Sequence, residues 1–158
     1  MKSLVVYSSQ SGNTEKLAKA VYENLDGEKD IFPLAQAPEA GDYDLIGVGF
    51  WLQAGKPDPK SQEYLASLPE GAKVFLFATH GAAKGSAHAS GAMEFAKSLL
   101  KNAEVAGAYS CQGEVNPKVL EKVKAKPEPP PWIGDAPAAA GHPDAKDLEE
   151  LAEIVRAL

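Results

Sequence analysis

The chain has 158 residues, of which 44% are apolar and 24% charged, an ordinary globular composition with length enough for one domain, 1–158, to bury a core. A net charge of −6 argues against non-specific binding to nucleic acid, and no window approaches the ~18 consecutive apolar residues of a membrane span. One cysteine, Cys111, leaves no internal disulfide framework and fits a reducing cytoplasm.

Strand-like sequence begins at once, which predicts no room for a cleaved leader. "SLVVY" (3–7) is a short apolar, β-branched run. From Thr14 to Leu25, Leu17, Ala18, Val21, Tyr22 and Leu25 form a helical stripe. "DIFPL" (30–34) reads as a weak strand, and Pro33 makes it an edge strand. "YDLIGVGF" (43–50) is a stronger strand, and "SQEYLASL" (61–68) a short helix ending before Pro69. "AKVFLFAT" (72–79) is nearly continuous in apolar residues, as expected of a strand covered on both faces. Ser90 to Leu100 carries a helical face of Ala92, Phe95, Ala96, Leu99 and Leu100. "EVAGAYSC" (104–111) is a fifth strand, and "PKVLEKVK" (117–124) a helical turn or two. The stretch 126–143 is rich in Pro, Ala and Gly and reads as a long loop without regular structure. A last helix, 144–158, places Leu148, Leu151, Ala152, Val155 and Leu158 on one face. "GHPD" (141–144) starts it, with Pro143 in its first turn, Asp144 and Asp147 complementing the dipole, and His142 structural.

Five strands alternating with helices predict an α/β fold: a parallel sheet in the order 2-1-3-4-5, with helices on both sides. Ligands then bind beyond the carboxyl ends of the strands, at loops 8–14, 50–60 and 80–91, with 111–114 beside them.

The first of these loops is chemically distinctive. "YSSQSGNT" (7–14) has four small hydroxyls, at Ser8, Ser9, Ser11 and Thr14, one glycine and no charge. A helix N-terminus presents unpaired N–H groups and a positive dipole end, so it stabilises a phosphate without a formal cation. The hydroxyls of Ser9, Ser11 and Thr14 add donors, and Gly12 lets the backbone approach closely. Simple helix capping needs only one such residue. Competing phosphate motifs fail: GxxxxGK[ST] is absent, and GxGxxG does not follow the first strand. The acidic cluster of a phospho-receiver is also missing from "VVYSSQSG", and no GxSxG nucleophile elbow occurs.

These residues resemble the phosphate loop of flavodoxins, small proteins that hold flavin mononucleotide (FMN). The family pattern is roughly [TS]-x-[TS]-G-x-T; Ser9, Ser11, Gly12 and Thr14 match it, with Gln10 and Asn13 in the variable places. The resemblance in element order covers essentially the whole chain. It implies a flavodoxin-like, three-layer, doubly wound, five-stranded parallel sheet and one non-covalent FMN. Ser9, Gln10, Ser11, Gly12, Asn13 and Thr14 would hold its phosphate. Phe50, Trp51 and Leu52 leave the third strand where flavodoxins commonly place an aromatic against the isoalloxazine, and Trp51 is the stacking candidate. The alternative is that "GFWL" continues the strand and Trp51 packs under a helix. In "THGAAKGSAHAS" (79–90), Thr79, His80, Gly81 and Gly85 fit the family's third flavin loop. That loop departs from the family, which usually carries a second aromatic and several acids there.

Loop 50–60 holds Lys56, Asp58 and Lys60, and loop 79–90 holds Lys84, so each sums to +1. Such a rim is expected to depress the flavin's potential less than an acidic one. His80 and His88 are either exposed or capping loop histidines, or donors that stabilise reduced, anionic flavin. Cys111 is expected to be buried and inert. Gln112 and Gly113 either line the site or form a tight turn, and the turn is the reading expected. Trp132 either pins the long loop or folds over the flavin. The resemblance implies an electron-transfer flavoprotein that meets redox partner proteins, with no catalytic side chain, no metal, no nucleic acid and no membrane. The alternative is an FMN-dependent reductase acting on a quinone, tetrapyrrole or similar small acceptor. A third reading is a non-redox interaction domain on the same fold.

Overall fold

Leu4, Val5 and Val6 are all fully buried, although successive side chains of a strand point to opposite faces. The computed structural model, which describes residues 1–158, shows why. Strand β1 (Lys2–Tyr7) lies centrally in a sheet covered on both sides. Helices α2 (Pro59–Ser67) and α3 (Ala87–Ser98) cover one face. There Leu4, Val6, Ile46, Val48, Phe50, Val74 and Leu76 pack against Leu65, Met93 and Ala96. Helices α1 (Asn13–Asn24) and α5 (Ala145–Arg156) cover the other, where Val5, Phe75 and Phe77 meet Leu17, Val21, Leu151 and Val155. Two cores thus alternate residue by residue along the same strands, and an apolar run needs no polar gaps.

The remaining strands are β2 (Glu28–Pro33), β3 (Leu45–Gln53), β4 (Lys56–Pro57), β5 (Lys73–His80) and β6 (Glu104–Gln112). Their order is β2-β1-β3-β5-β6, all parallel, and it reproduces the expected doubly wound path. The strand count differs by one. β4 is a two-residue antiparallel ribbon folded back on the end of β3, with Gln53 opposite Lys56. β2 takes an edge, as Pro33 predicts, and the other edge is β6.

Close packing sets one glycine. A Cβ on Gly49 would come within 2.2 Å of the Phe77 ring, so the bare backbone of β3 makes room for that side chain.

Three further elements depart from expectation. Helix α3 starts at Ala87, three residues before the predicted Ser90, because Ser86 caps it. Residues Pro131–Ala139, inside the predicted structureless stretch, form a nine-residue 3-10 helix. Proline's fixed φ suits that helix, and its missing N–H costs nothing at the first turn. This segment packs with α4 (Pro117–Lys124) beyond the strand ends. Finally, α5 begins at Ala145 with Asp144 as its cap, so Pro143 precedes the helix and is not in its first turn.

Candidate functional site

A cavity of about 490 Å³ opens at the carboxyl ends of β1, β3, β5 and β6. It lies where a doubly wound sheet places its ligands, and its size is that of a small-molecule site.

The start of α1 forms one wall. Tyr7 ends β1, and the chain turns into the helix at Gly12, whose φ of +92° is a left-handed conformation open to glycine. No side chain caps α1, and its first backbone bond runs from Lys16 N–H to the Gly12 carbonyl. The amides of Asn13, Thr14 and Glu15 therefore have no intrahelical acceptor. The other four helices each have a cap: Asp58 accepts from Ser61 N–H, Ser86 from Ala89 N–H, Asn116 from Lys118 N–H, and Asp144 from Asp147 N–H. Within the loop, Ser9 Oγ accepts from Gly12 N–H at 3.0 Å and Ser11 Oγ from Asn13 Nδ2 at 3.3 Å. Both serine hydroxyl protons are left to donate. Thr14 is 1% exposed and its hydroxyl is 2.8 Å from that of Thr79, so one of the three expected hydroxyl donors is engaged inside the protein.

The wall opposite comes from β3. The strand runs on to Gln53, so "GFWL" continues it and the loop begins only at Ala54. Ala54 and Gly55 turn it with φ of +53° and +76°, the positive pair that a two-residue hairpin requires. Phe50 and Trp51 consequently face opposite ways. Phe50 is fully buried in the core with Leu65 and Met93 and does not reach the cavity, which corrects its expected role. Trp51 and Leu52 line the cavity. Asp58, 2% exposed, accepts from Ser8 Oγ at 2.9 Å and from both Ser61 N–H and Ser61 Oγ. It ties the start of α2 to the end of β1.

Ser9, Gln10, Ser11, Asn13, Thr14, Trp51, Leu52, Thr79, His80 and Gly81 come together around the cavity. Gly12 makes the turn without lining the wall. Gly85 lies away from the wall as well, in a positive-φ turn before α3, so its expected contact is corrected. The structure adds Gln53, Ala54, Gly55, His88, Gly113, Glu114, Val115, Asn116, Val119 and Trp132. Trp132 lies against Gly81, where a Cβ would come within 3.0 Å of the indole. Gly113 is a wall residue and not part of a tight turn. A Cβ there would meet Asn13 Nδ2 at 2.8 Å, and its N–H donates to the His80 carbonyl. Gln112 Nε2 donates to the carbonyls of Gly81 and Asp135 and so braces the Trp132 segment.

His80 is neither exposed nor a donor to this cavity. It is 5% exposed, and its Nδ1–H donates to the Ala82 carbonyl at 2.8 Å. Burial lowers its pKa and keeps the ring neutral, and Nε2 is buried without a partner. His88 sits in the first turn of α3 beside Gly55. Cys111 is fully buried, and burial pushes its thiol up to about 12, so it is inert as expected. His142 bonds Asp147 Oδ2 through Nδ1 at 2.5 Å, a structural role.

The rim charges also differ from a count along the loops. Lys84 reaches Glu150 at 2.6 Å and Tyr109 Oη at 3.1 Å, and Lys56 lies 4.8 Å over the Phe95 ring. Neither lines the cavity. Its one formally charged wall residue is Glu114, from the segment after β6. An anion at the start of α1 thus meets amides and hydroxyls, while a flat apolar body can lie along Trp51, Leu52 and Trp132.

Residues 4–156 match the family model described as a flavodoxin domain. The flavodoxin-like domain-containing protein BilS of Clostridioides difficile (strain CD3) is 30% identical over 168 aligned residues, 99% of this chain and 95% of its own length. Oxidised flavodoxin 2 from Bacillus cereus superposes with a TM-score of 0.66 at 19% identity, covering 99% of this chain and 97% of that one. A flavoprotein from Lactobacillus acidophilus NCFM, solved in complex with FMN, superposes at 0.56 and 15% identity over 69% of this chain and 92% of its own.

Proposed function

The chain belongs to the flavodoxin family, and we propose on that premise that it binds one FMN non-covalently and transfers electrons between redox partners. The observation that carries this reading is the bare N-terminus of α1 at a cavity that also presents Trp51, Leu52 and Trp132. A dianionic phosphate would take the amides of Asn13, Thr14 and Glu15 and the hydroxyls of Ser9 and Ser11. The ring would lie against Trp51, with Trp132 on the side of Gly81. The FMN complex of the Lactobacillus acidophilus relative in fold supports the choice of flavin.

The flavin supplies the redox chemistry; the chain binds it, orients it and controls access. With Glu114 as the single formal charge on the wall, little carboxylate charge opposes the fully reduced, anionic ring. Its potential is expected above that of acid-rimmed flavodoxins, which redox titration of the loaded protein will test.

The direct test is a titration of the purified protein with FMN, followed by visible absorption and flavin fluorescence. Saturable one-to-one binding is expected, and a protein that takes up no FMN refutes the reading. Steady turnover of a nicotinamide donor with a small acceptor would instead identify a reductase.

A further inference from the structure

Beside the cavity mouth lies a segment whose charge is opposite to that of the rest of the molecule. Between residues 116 and 127 there are four lysines, Lys118, Lys122, Lys124 and Lys126, and one acid, Glu121. The remainder holds 12 basic and 21 acidic residues. All four lysines are exposed, and none forms an ion pair, whereas Lys19, Lys84, Lys97 and Arg156 do. Lys118, Lys122 and Lys126 recur every four residues. They flank Val119, which lines the cavity and is still 39% exposed.

The stability of α4 does not account for this pattern. Lys122 and Lys124 in the last turn do complement the helix dipole. Lys118 sits in the first turn, where a cation is unfavourable, and Lys118 with Lys122 makes a repulsive i,i+4 pair. Nor does the shape suit a small anion. Lys118 and Lys122 lie on the convex helix face and Lys126 just past its end, a row about 12 Å long and not a recess. A row of unpaired cations around one exposed apolar side chain, at the edge of the redox cavity, matches a transient protein interface.

We propose that α4 is the docking face for an acidic redox partner protein, with Lys118, Lys122 and Lys126 meeting its carboxylates and Val119 touching it at the cavity mouth. The proposal rests on the electron-transfer reading of the cavity and adds the chemistry of the partner. Charges of this kind steer encounter and act mainly on the association rate.

The test uses the FMN-loaded full chain and two probe proteins of opposite charge. One is a photoreduced acidic [2Fe–2S] ferredoxin, each encounter moving one electron from its cluster to the flavin. The other is an oxidised basic c-type cytochrome, which takes one electron from the reduced flavin. At low salt, the double variant Lys118→Glu/Lys122→Glu is expected to slow the ferredoxin reaction by about tenfold and to speed the cytochrome reaction. Rising salt should slow the ferredoxin reaction in the wild type and lose that effect in the variant. A ferredoxin rate within twofold of wild type, or an equal loss with both probes, overturns the proposal.

A flavin-independent readout separates this failure from failure of FMN binding. Titrating the isotope-labelled apo chain with the same ferredoxin should shift amides of residues 116–126. Shifts confined to other surfaces overturn the docking face, as does saturation of the same amides by equally low concentrations of inorganic pyrophosphate. If the protein takes up no FMN, this titration still decides the inference.

Discussion

Helices α1 and α3 both start at the cavity, yet they end their exposed backbone in different ways. Ser86 closes α3 by accepting from Ala89 N–H, and His88 follows within the first turn. At α1 a left-handed glycine stands in the capping position, and no side chain reaches its amides. Serines are at hand in both loops, three before α1 and one before α3. At α1, however, Ser9 Oγ is drawn back onto Gly12 N–H, which shapes the turn and leaves the amides beyond it bare. Helix starts leave several N–H groups without partners, and a fold normally satisfies them locally. One left unsatisfied beside a cavity is a place where a ligand can complete the structure.

The sharpest way to break this comparison is to remove the hydroxyls at α1. Replacing Ser9 and Ser11 together by alanine is expected to weaken FMN binding at least ~100-fold, since two hydrogen bonds to a charged group, at about 1.5–3 kcal/mol each, sum to about 3 kcal/mol or more. Unfolding of the apo protein should change far less. Unaltered affinity in a fluorescence titration would remove the basis of the anion site.

Thr14 sharpens the contrast between an outward and an inward hydroxyl. Its partner is Thr79 at 2.8 Å, both buried. Thr14→Val should cost about 2 kcal/mol of apo stability by stranding the Thr79 hydroxyl. The double variant Thr14→Val/Thr79→Val should recover most of that loss, because neither hydroxyl is then left alone. Denaturant titration of the three proteins decides it: a double variant no more stable than the single one refutes the account. At α3, Ser86→Ala should cost about 1 kcal/mol of stability and leave FMN affinity unchanged. A matching loss of affinity would show that the two helix starts do not divide their roles as described.

The parts of this protein that were legible in its sequence are those where burial fixes residue type. β1, β3 and β5 announce themselves because both faces are covered. The hydroxyl-rich loop was legible as a cluster because simple capping needs only one such residue, but not which hydroxyls are engaged inside the protein: Ser8 bonds Asp58 and Thr14 bonds Thr79. What escaped depended on contacts that local pattern does not encode. β4 is too short to show a period. Phe50 and Trp51 are neighbours, and only the register of β3, which keeps Phe50 in phase with Ile46 and Val48, sends them to opposite sides. Lys84 counts as a rim charge along its loop, but Glu150, 66 residues away, holds it. Prolines break α-helices, and Pro127, Pro129 and Pro130 do lie in irregular chain, but the 3-10 helix that follows accepts Pro131 at its start and Pro137 inside it. Trp132 and Val119 reach the cavity only because α4 and that turn fold across the strand ends.

The smallest expected effect compares two histidines with opposite surroundings. Burial lowers the pKa of His80, whereas the bond to Asp147 raises that of His142 from the same ordinary value of 6.5. For His142 the folded state favours the protonated ring, so its contribution is complete below 6.5 and fades as pH rises through the raised folded value. For His80 the folded state favours the neutral ring, so its contribution is complete above 6.5 and fades as pH falls through the lowered folded value. Together they place a shallow stability maximum near the ordinary histidine pKa, with carboxylates such as Asp144 adding to the fall on the acid side. The alkaline side is the cleaner one to read, because few other groups titrate there. Urea unfolding of the wild type should therefore lose stability as pH rises above the ordinary histidine value of 6.5, and His142→Asn should flatten that slope while keeping the acid side. Equal alkaline slopes in the two proteins would mean that the His142–Asp147 pair contributes nothing to folding, and that α5 relies on its Asp144 cap alone.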